Sequence, residues 1–153
     1  MANGKSDIAT LQDTPTRTGA VPGITLGSDI RIARFLITLL GTEAGNEYHE
    51  LGKIPLAGYK LVPERCQIRH VTGTYSLISR IQRVRSGTAT NQSAALTHAN
   101  GTASTSLGFA ATDNLEPLTN IASDTLRLLL STVTTTNAGA QFVVEIAYRP
   151  TVG

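Results

Sequence analysis

The sequence has no tryptophan, one cysteine and one methionine among its 153 residues, and aromatic residues make up only 5% of it. A lone cysteine, Cys66, can form neither an intrachain disulfide nor a cysteine-based zinc site. Charged residues amount to 16% and the formal net charge is +2. A nucleic-acid-binding domain of this size typically carries a larger, clustered basic excess. We therefore expect no disulfide framework and no nucleic-acid partner.

Long hydrophobic runs are also missing. No window approaches the roughly 18 consecutive apolar residues that indicate a membrane-spanning helix, and the N-terminal residues lack the apolar segment of a secretory signal peptide. We expect a protein that is made in a cytoplasm and has no membrane partner.

Threonine, serine and glycine fill the gap left by charged residues, with 22 Thr, 10 Ser and 14 Gly. This composition favours strands joined by many turns over a helical bundle. The chain length suits one domain, and a hydrophobic content of 41% is enough for a single core.

Residues 1–27 show no periodicity and carry few large apolar side chains, while prolines and glycines interrupt them. Such a segment cannot form a packed element by itself. We interpret it as an extended N-terminal arm that precedes a β-sandwich domain of residues 28–153; the alternative is a disordered tail. The spaced apolar residues of the arm are candidate contacts with a preformed surface: Ile8, Leu11, Val21, Ile24 and Leu26.

The body of the chain is predicted to be a series of strands. In residues 30–40 the alternation of apolar residues changes phase at Ala33 and Arg34, which indicates a bulge or a strand that passes between two layers. Shorter alternating runs predict strands at residues 47–51, 65–71, 76–84, 94–97 and 106–110.

The last third gives the clearest pattern. Apolar residues at 126, 128 and 130 alternate along one segment, and residues 141–149 place Phe142, Val144, Ile146 and Tyr148 on one face. We predict a hairpin joined by a loop at residues 132–140, whose last strand is central and faces the leucines of the first. About eight strands at roughly ten-residue spacing predict an all-β protein, an antiparallel β-sandwich of jelly-roll-like topology.

Residues for catalysis or metal binding are not arranged in any familiar motif. His49, His70 and His98 lack metal-ligand spacing, and there is no G-x-S-x-G motif and no carboxylate pair on one face. We interpret His49 as a surface or interface residue, His70 as a core or interface residue, and His98 as a loop residue. We predict no enzyme, no cofactor and no catalytic or metal residue; a cupin-like metal-binding enzyme is the alternative if the fold gathers the histidines.

Arginines form the one concentration of charge: Arg80, Arg83 and Arg85, with Arg65 and Arg69 on a predicted neighbouring strand. This cluster is either a phosphate-binding patch or a set of ion pairs with Glu43, Glu64, Asp113 or a neighbouring subunit. We favour the second interpretation because arginine is common at protein interfaces.

Apolar residues also occur in an irregular segment rich in glycine and proline, at Ile54, Leu56, Tyr59, Leu61 and Val62. Such a segment cannot easily turn all of these side chains inward, and exposed apolar patches usually mark interfaces. We therefore predict a homo-oligomer, with a trimer favoured, and place Ile54, Leu56 and Tyr59 among the interface candidates.

The arrangement as a whole resembles a known class of proteins. A polar extended segment precedes an apolar strand, the run EYHELGKIPLAGYKL follows at residues 47–61, and LRLLLSTVTTTNAGAQFVVEIAYR closes the chain at residues 126–149. Over residues 30–149 this pattern resembles small structural proteins of tailed-bacteriophage virions, in particular β-sandwich decoration or cement proteins of the capsid.

The resemblance implies a non-enzymatic protein that is made in the host cytoplasm, binds the major capsid protein or another virion protein, and stabilises the shell from the capsid surface. It carries no catalytic motif to be transferred. The alternative outside this class is a receptor-binding or carbohydrate-binding β-module of a phage fibre or tail, which would need exposed aromatic side chains for stacking on sugars.

Overall fold

The computed structural model describes residues 4–5, 30–54, 59–109 and 123–150. Apart from one 3-10 turn at Pro63–Arg65, the regular elements of these residues are strands. No helix in this part of the chain is long and apolar enough to cross a membrane. The strands are β1 (Gly4–Lys5), β2 (Arg31–Thr38), β3 (Glu47–Gly52), β4 (Tyr59–Leu61), β5 (Gln67–Thr72), β6 (Tyr75–Arg85), β7 (Thr88–Asn91), β8 (Leu96–Ala99), β9 (Ser104–Ser106), β10 (Thr125–Thr136) and β11 (Gln141–Pro150).

The strands form two sheets. The first sheet has the order β1-β3-β10-β6-β7, with β8 also paired to β6; the second has the order β2-β11-β5-β9, with β4 also paired to β11. Every pair is antiparallel except β1 with β3, which is parallel. The chain passes from one sheet to the other at most connections, as in a jelly roll. The predicted all-β sandwich is confirmed.

The core lies between the sheets because alternate residues of each strand point inward. In β11 the side chains of Phe142, Val144, Ile146 and Tyr148 are all buried, as predicted. The first sheet supplies the facing layer, which includes the fully buried leucines Leu126, Leu128 and Leu130.

The predicted hairpin between β10 and β11 is wrong. These strands follow one another in the chain but belong to different sheets, since β10 pairs with β3 and β6 while β11 pairs with β2, β4 and β5. The predicted loop at 132–140 is also mostly strand, because β10 continues to Thr136 and pairs with β6 over its whole length. Alternation along a strand determines which face is buried, but not which strand becomes the partner.

The predicted phase change in β2 does not occur. Ala33, Phe35 and Ile37 are buried in regular alternation, and β2 pairs with β11 without a register shift. Ala33 points inward although its side chain is small. The apolar alternation of β2 is therefore regular, but it is hard to recognise in the sequence. The isoleucine before it, Ile32, lies half-buried on the outer face.

Candidate functional site

The predicted arginine cluster is divided by the fold. Arg83 and Arg85 share the β6 face of the buried residues Ser79 and Ile81, whereas Arg80 points to the opposite, outer face. The predicted neighbouring strand is not a neighbour at all, because β5 with Arg69 belongs to the second sheet. No single phosphate-binding patch is formed by these residues.

Two of the arginines make ion pairs within the chain. Arg85 donates from Nε and Nη2 to the two carboxylate oxygens of Asp124, at 2.8 and 2.7 Å, and Asp124 is fully buried. Arg69 contacts Glu145 in the second sheet. Ion pairs were expected for the arginines, but with other acids. Asp124, just before β10, and Glu145, in β11, were missed because both are far from these arginines in the sequence.

The outer face of the second sheet is organised around Glu145, which is 3% exposed. Its carboxylate accepts hydrogen bonds from Arg34 Nε at 2.8 Å and Gln67 Nε2 at 3.1 Å, and also from Arg69. The three donors come from β2 and β5, on either side of β11. Both carboxylate oxygens are therefore occupied by partners within the chain.

The outer face of the first sheet carries a row of polar contacts across four strands. The Arg127 guanidinium stacks on the Tyr48 ring at 4.3 Å from its centroid, and Arg127 Nε donates to Gln82 Oε1 at 2.9 Å. Gln82 Nε2 donates in turn to Asn91 Oδ1 at 2.8 Å. We call this surface the Arg127 face, and define it by Tyr48, Glu50, Arg80, Gln82, Arg127 and Leu129.

One arginine of the Arg127 face keeps unused donor capacity. Arg80 is paired in register with Leu129 and is half-buried, and its Nε has no hydrogen-bond partner among the residues that the structure describes. The Nε of Arg80 is therefore a buried donor that no described residue satisfies. Arg83 Nε is likewise unpartnered within the described ranges.

The apolar interface predicted around residue 54 is not formed by the two of its candidate residues that the structure describes, Ile54 and Tyr59. Ile54 is 4% exposed and Tyr59 is fully buried, and both belong to the single core of the sandwich. The irregular segment does turn these side chains inward, because β4 pairs with β11 and places Tyr59 edge-on against Tyr148 at 5.3 Å. Other interface candidates lie outside the described residues: Ile8, Leu11, Val21, Ile24, Leu26 and Leu56.

A serine and a histidine form a buried pair that resembles the serine and histidine of a catalytic triad. Ser79 Oγ lies 2.8 Å from His98 Nε2, and burial lowers the pKa of His98 to about 4. However, the two residues are 0% and 2% exposed, and His98 Nδ1 has no carboxylate or other partner in the described ranges. A nucleophile must reach its substrate; this pair is enclosed by the core. His98 lies in β8, so the predicted loop position is wrong.

A second buried polar pair joins β3 to the turn after β2. Glu43 accepts hydrogen bonds from the Leu40 and Gly41 amides at 2.6 and 2.9 Å and from Thr136 Oγ1 at 2.7 Å, and its Oε1 lies 3.2 Å from His49 Nε2. His49 is fully buried, so its predicted surface position is wrong: it faces inward from β3, opposite Leu128 in the register.

The charges of this pair follow from its surroundings. Burial raises the pKa of Glu43, but the hydrogen bonds from Leu40, Thr136 and Gly41 together outweigh that effect and leave the pKa below its ordinary value. Burial lowers the pKa of His49 more than the Glu43 charge raises it. At neutral pH Glu43 is therefore ionised and His49 neutral.

The thiol of Cys66 is not a reactive group. It is buried, and burial raises its pKa to about 12. Its Sγ accepts a hydrogen bond from the Ala147 amide at 3.3 Å, as a packed core residue does. In the described ranges, no three histidine, cysteine, aspartate or glutamate residues come together in a group that could hold a metal ion.

Comparison with known proteins bears on the fold. No family model matches the sequence, and no curated protein matches it. Among solved structures, a chain described as capsid of Ralstonia phage GP4 is similar with a TM-score of 0.68 and 18% sequence identity, and the match covers 99% of this chain and 100% of that one. The two chains share a fold.

Proposed function

We propose that this protein is a non-enzymatic structural protein of a tailed-phage virion, of the decoration or cement type, which binds the capsid shell at its surface and stabilises it. The observation that carries the proposal is the end-to-end structural likeness to a chain of a phage capsid. The sequence pattern points independently to the same class.

The interior chemistry of the chain supports a structural role. The groups best suited to catalysis, His98 with Ser79 and Glu43 with His49, are buried and used to connect elements of the sandwich. A carbohydrate-binding module needs exposed aromatic rings, whereas Tyr59, Tyr75 and Tyr148 are buried and Tyr48 is stacked against Arg127.

We assign the shell contact of the β-sandwich to the Arg127 face. It presents Tyr48, Leu129 and two arginines on one sheet surface, and tyrosine and arginine are enriched in the cores of protein interfaces. Arg80 is half-buried on this face, and a guanidinium at a protein interface binds carboxylate or carbonyl oxygens of the partner. The partner is therefore expected to present acidic or carbonyl groups, as the major capsid protein or another virion protein can.

The arm of residues 1–27 is proposed as the second attachment. Its spaced apolar residues suit an extended chain that lies in grooves of the shell, and repetition over many copies would strengthen retention by avidity. A homo-oligomer, with a trimer favoured, remains part of the proposal. It now rests on the resemblance alone, because Ile54 and Tyr59, two of the predicted interface residues, belong to the core. Synthesis in the host cytoplasm belongs to the same proposal.

The experiment that tests the proposal uses particles that lack the native protein. Purified protein is added back, and its occupancy on the particles and the temperature at which they break open are measured. Wild-type protein is expected to saturate at a fixed ratio to the shell protein and to raise that temperature. Arg80→Glu is expected to lower occupancy at least tenfold, since it places a carboxylate where a partner oxygen should bind.

The matched control is a charge introduced on the other sheet. Val71 is 49% exposed in β5, and Val71→Glu should fold and bind like wild type. Wild-type protein that fails to bind the particles would refute the shell-binding proposal. Equal loss of binding by both variants would instead move the contact away from the Arg127 face.

A further inference from the structure

The edge of β3 that does not face β10 is covered by β1, a short strand near the N-terminus. β3 pairs with β10 on one side, and on the other side with β1, in parallel, with Gly4 opposite His49 and Lys5 opposite Glu50. Without β1, this side of β3 would present unpaired backbone groups at the edge of the first sheet. Exposed edges of this kind bind further strands readily.

The edge selects what can pair with it. A Cβ atom built on Gly4 would lie 2.4 Å from His49 Nδ1 and 2.6 Å from His49 Cε1, so only glycine fits at this register without displacing the ring. The ring cannot move aside easily, because it is fully buried and its Nε2 lies 3.2 Å from the Glu43 carboxylate. His49 Nδ1 faces the position of Gly4 and has no hydrogen-bond partner among the described residues. The edge is therefore a site specific for a strand with glycine opposite His49.

The chain that connects this strand to the sandwich is long. Residues 6–29 separate β1 from Ile30, and a chain of that length can span up to about 80 Å when extended. The same Gly4–Lys5 strand can thus reach the β3 edge of its own copy or that of a neighbour, with identical contacts in both cases. Exchange of an identical element between copies is a low-cost route to oligomers.

We propose that the β3 edge is a strand-acceptor site and that, in the assembled protein, its occupant is the Gly4–Lys5 strand of a second copy. The ladder has two residue pairs, so its retention depends on the local concentration of the strand. In a crowded oligomer a neighbour's strand is present at high effective concentration. Strand donation in one direction around the assembly is a head-to-tail contact, which closes into a ring where the rotation between copies allows it; the proposed trimer would be such a ring. The inference goes beyond shell binding and does not depend on it.

A crosslinking experiment separates exchange between copies from pairing within one copy. Lys5→Cys and Glu50→Cys are made in two differently tagged chains, which are coexpressed and oxidised; the register places these positions opposite each other, within reach of a disulfide. The native Cys66 can stay, because it is buried with its pKa raised to about 12. Strand exchange predicts a disulfide between the two tagged chains in up to about half of the chains, because random assembly places a Glu50→Cys edge opposite half of the Lys5→Cys strands.

The double variant, with both cysteines in one chain, gives the complementary result. Exchange predicts covalent oligomers up to a closed ring. An oxidised chain that remains a monomer, with its disulfide internal, would overturn the proposal, and so would the absence of any disulfide in both experiments.

Substitution of the glycine tests the selectivity of the site. Gly4→Val should reduce the interchain disulfide more than tenfold, because its side chain meets the His49 ring. Gly101→Val is the matched control, since no atom lies within 4 Å of a Cβ at Gly101, and it should crosslink like the parent. Equal crosslinking of both variants would overturn the proposal. All these measurements use purified protein without particles, so they are independent of the shell-binding test.

Discussion

Phe142 connects the two sheets of the sandwich through its ring. Its centroid lies 5.1 Å from that of Tyr75 and 4.9 Å from that of His98, both of which belong to the first sheet. Removal of a buried phenylalanine ring costs about 3–5 kcal/mol, since contacts are lost and a cavity remains. We expect Phe142→Ala to lower the free energy of unfolding by that amount in urea titrations.

A surface substitution provides the comparison. Val71 is 49% exposed at the end of β5, so Val71→Ala should change the free energy of unfolding by less than about 0.5 kcal/mol. Similar values for Phe142→Ala and Val71→Ala would show that β11 does not face the core as described.

His98 makes stability depend on pH. Its pKa is about 4 in the folded chain, because burial disfavours the charged form, against 6.5 for an ordinary histidine. The unfolded chain therefore binds a proton between pH 6.5 and pH 4 that the folded chain does not bind. The stabilisation is complete above about pH 6.5 and is lost as pH falls toward 4. His49, whose pKa is also lowered, contributes in the same direction.

We expect the free energy of unfolding to fall by about 2 kcal/mol between pH 7 and pH 5 because of His98. The variant His98→Asn should be less stable at pH 7 but should lose less on acidification, while Val71→Ala keeps the wild-type pH dependence. The measurement is urea unfolding at both pH values. An undiminished pH dependence in His98→Asn would contradict the burial of a neutral His98.

At the scale of elements, the arm is the part whose removal is most informative. Deletion of residues 1–27 removes the proposed groove contacts and the β1 strand, but leaves the core of β2–β11 intact. We expect the shortened chain to fold with a cooperative thermal transition and to bind particles at least tenfold more weakly than the full chain, because one of two attachments is lost.

Occupancy of particles that lack the native protein measures this effect, with thermal unfolding as the control for folding. Undiminished occupancy after the deletion would place attachment on the sandwich alone, and the Arg127 face would then have to supply it.

The sequence predicted the faces of strands well and their partners poorly. The inward set of β11 and the facing leucines of β10 follow from alternation alone, because a buried strand face must be apolar. That β10 and β11 lie in different sheets is decided by long-range pairing with β3, β6, β2 and β5. No local pattern encodes those pairings, so two adjacent strands looked like a hairpin.

The polar sites were harder to predict for the same reason. His49 is buried because Glu43 and Gly4 meet it from other elements. His98 faces the core from β8, where it lies opposite Leu77 of β6 and contacts the Ser79 hydroxyl of the same strand. Arg80, Arg83 and Arg85 are close in sequence but divide between two faces of β6. The alternation of side chains along a strand separates residues 80 and 83, but the sequence prediction treated the three arginines as one cluster.

The whole molecule is a sandwich that uses its polar side chains to join its own elements. Glu145 joins three strands of the second sheet, and Arg85 with Asp124 joins β6 to the residue before β10. On the Arg127 face, the Nε of Arg80 has no hydrogen-bond partner among the described residues.

The central claim, that the protein is part of a capsid shell, is tested most directly by its abundance in assembled particles. Particles purified from infected cells through a density gradient and a high-salt wash are analysed by quantitative mass spectrometry. We predict a constant ratio of this protein to the major shell protein, set by the lattice and the same in every preparation. Its absence from washed particles, or only a handful of copies in each, would contradict a role in covering the shell.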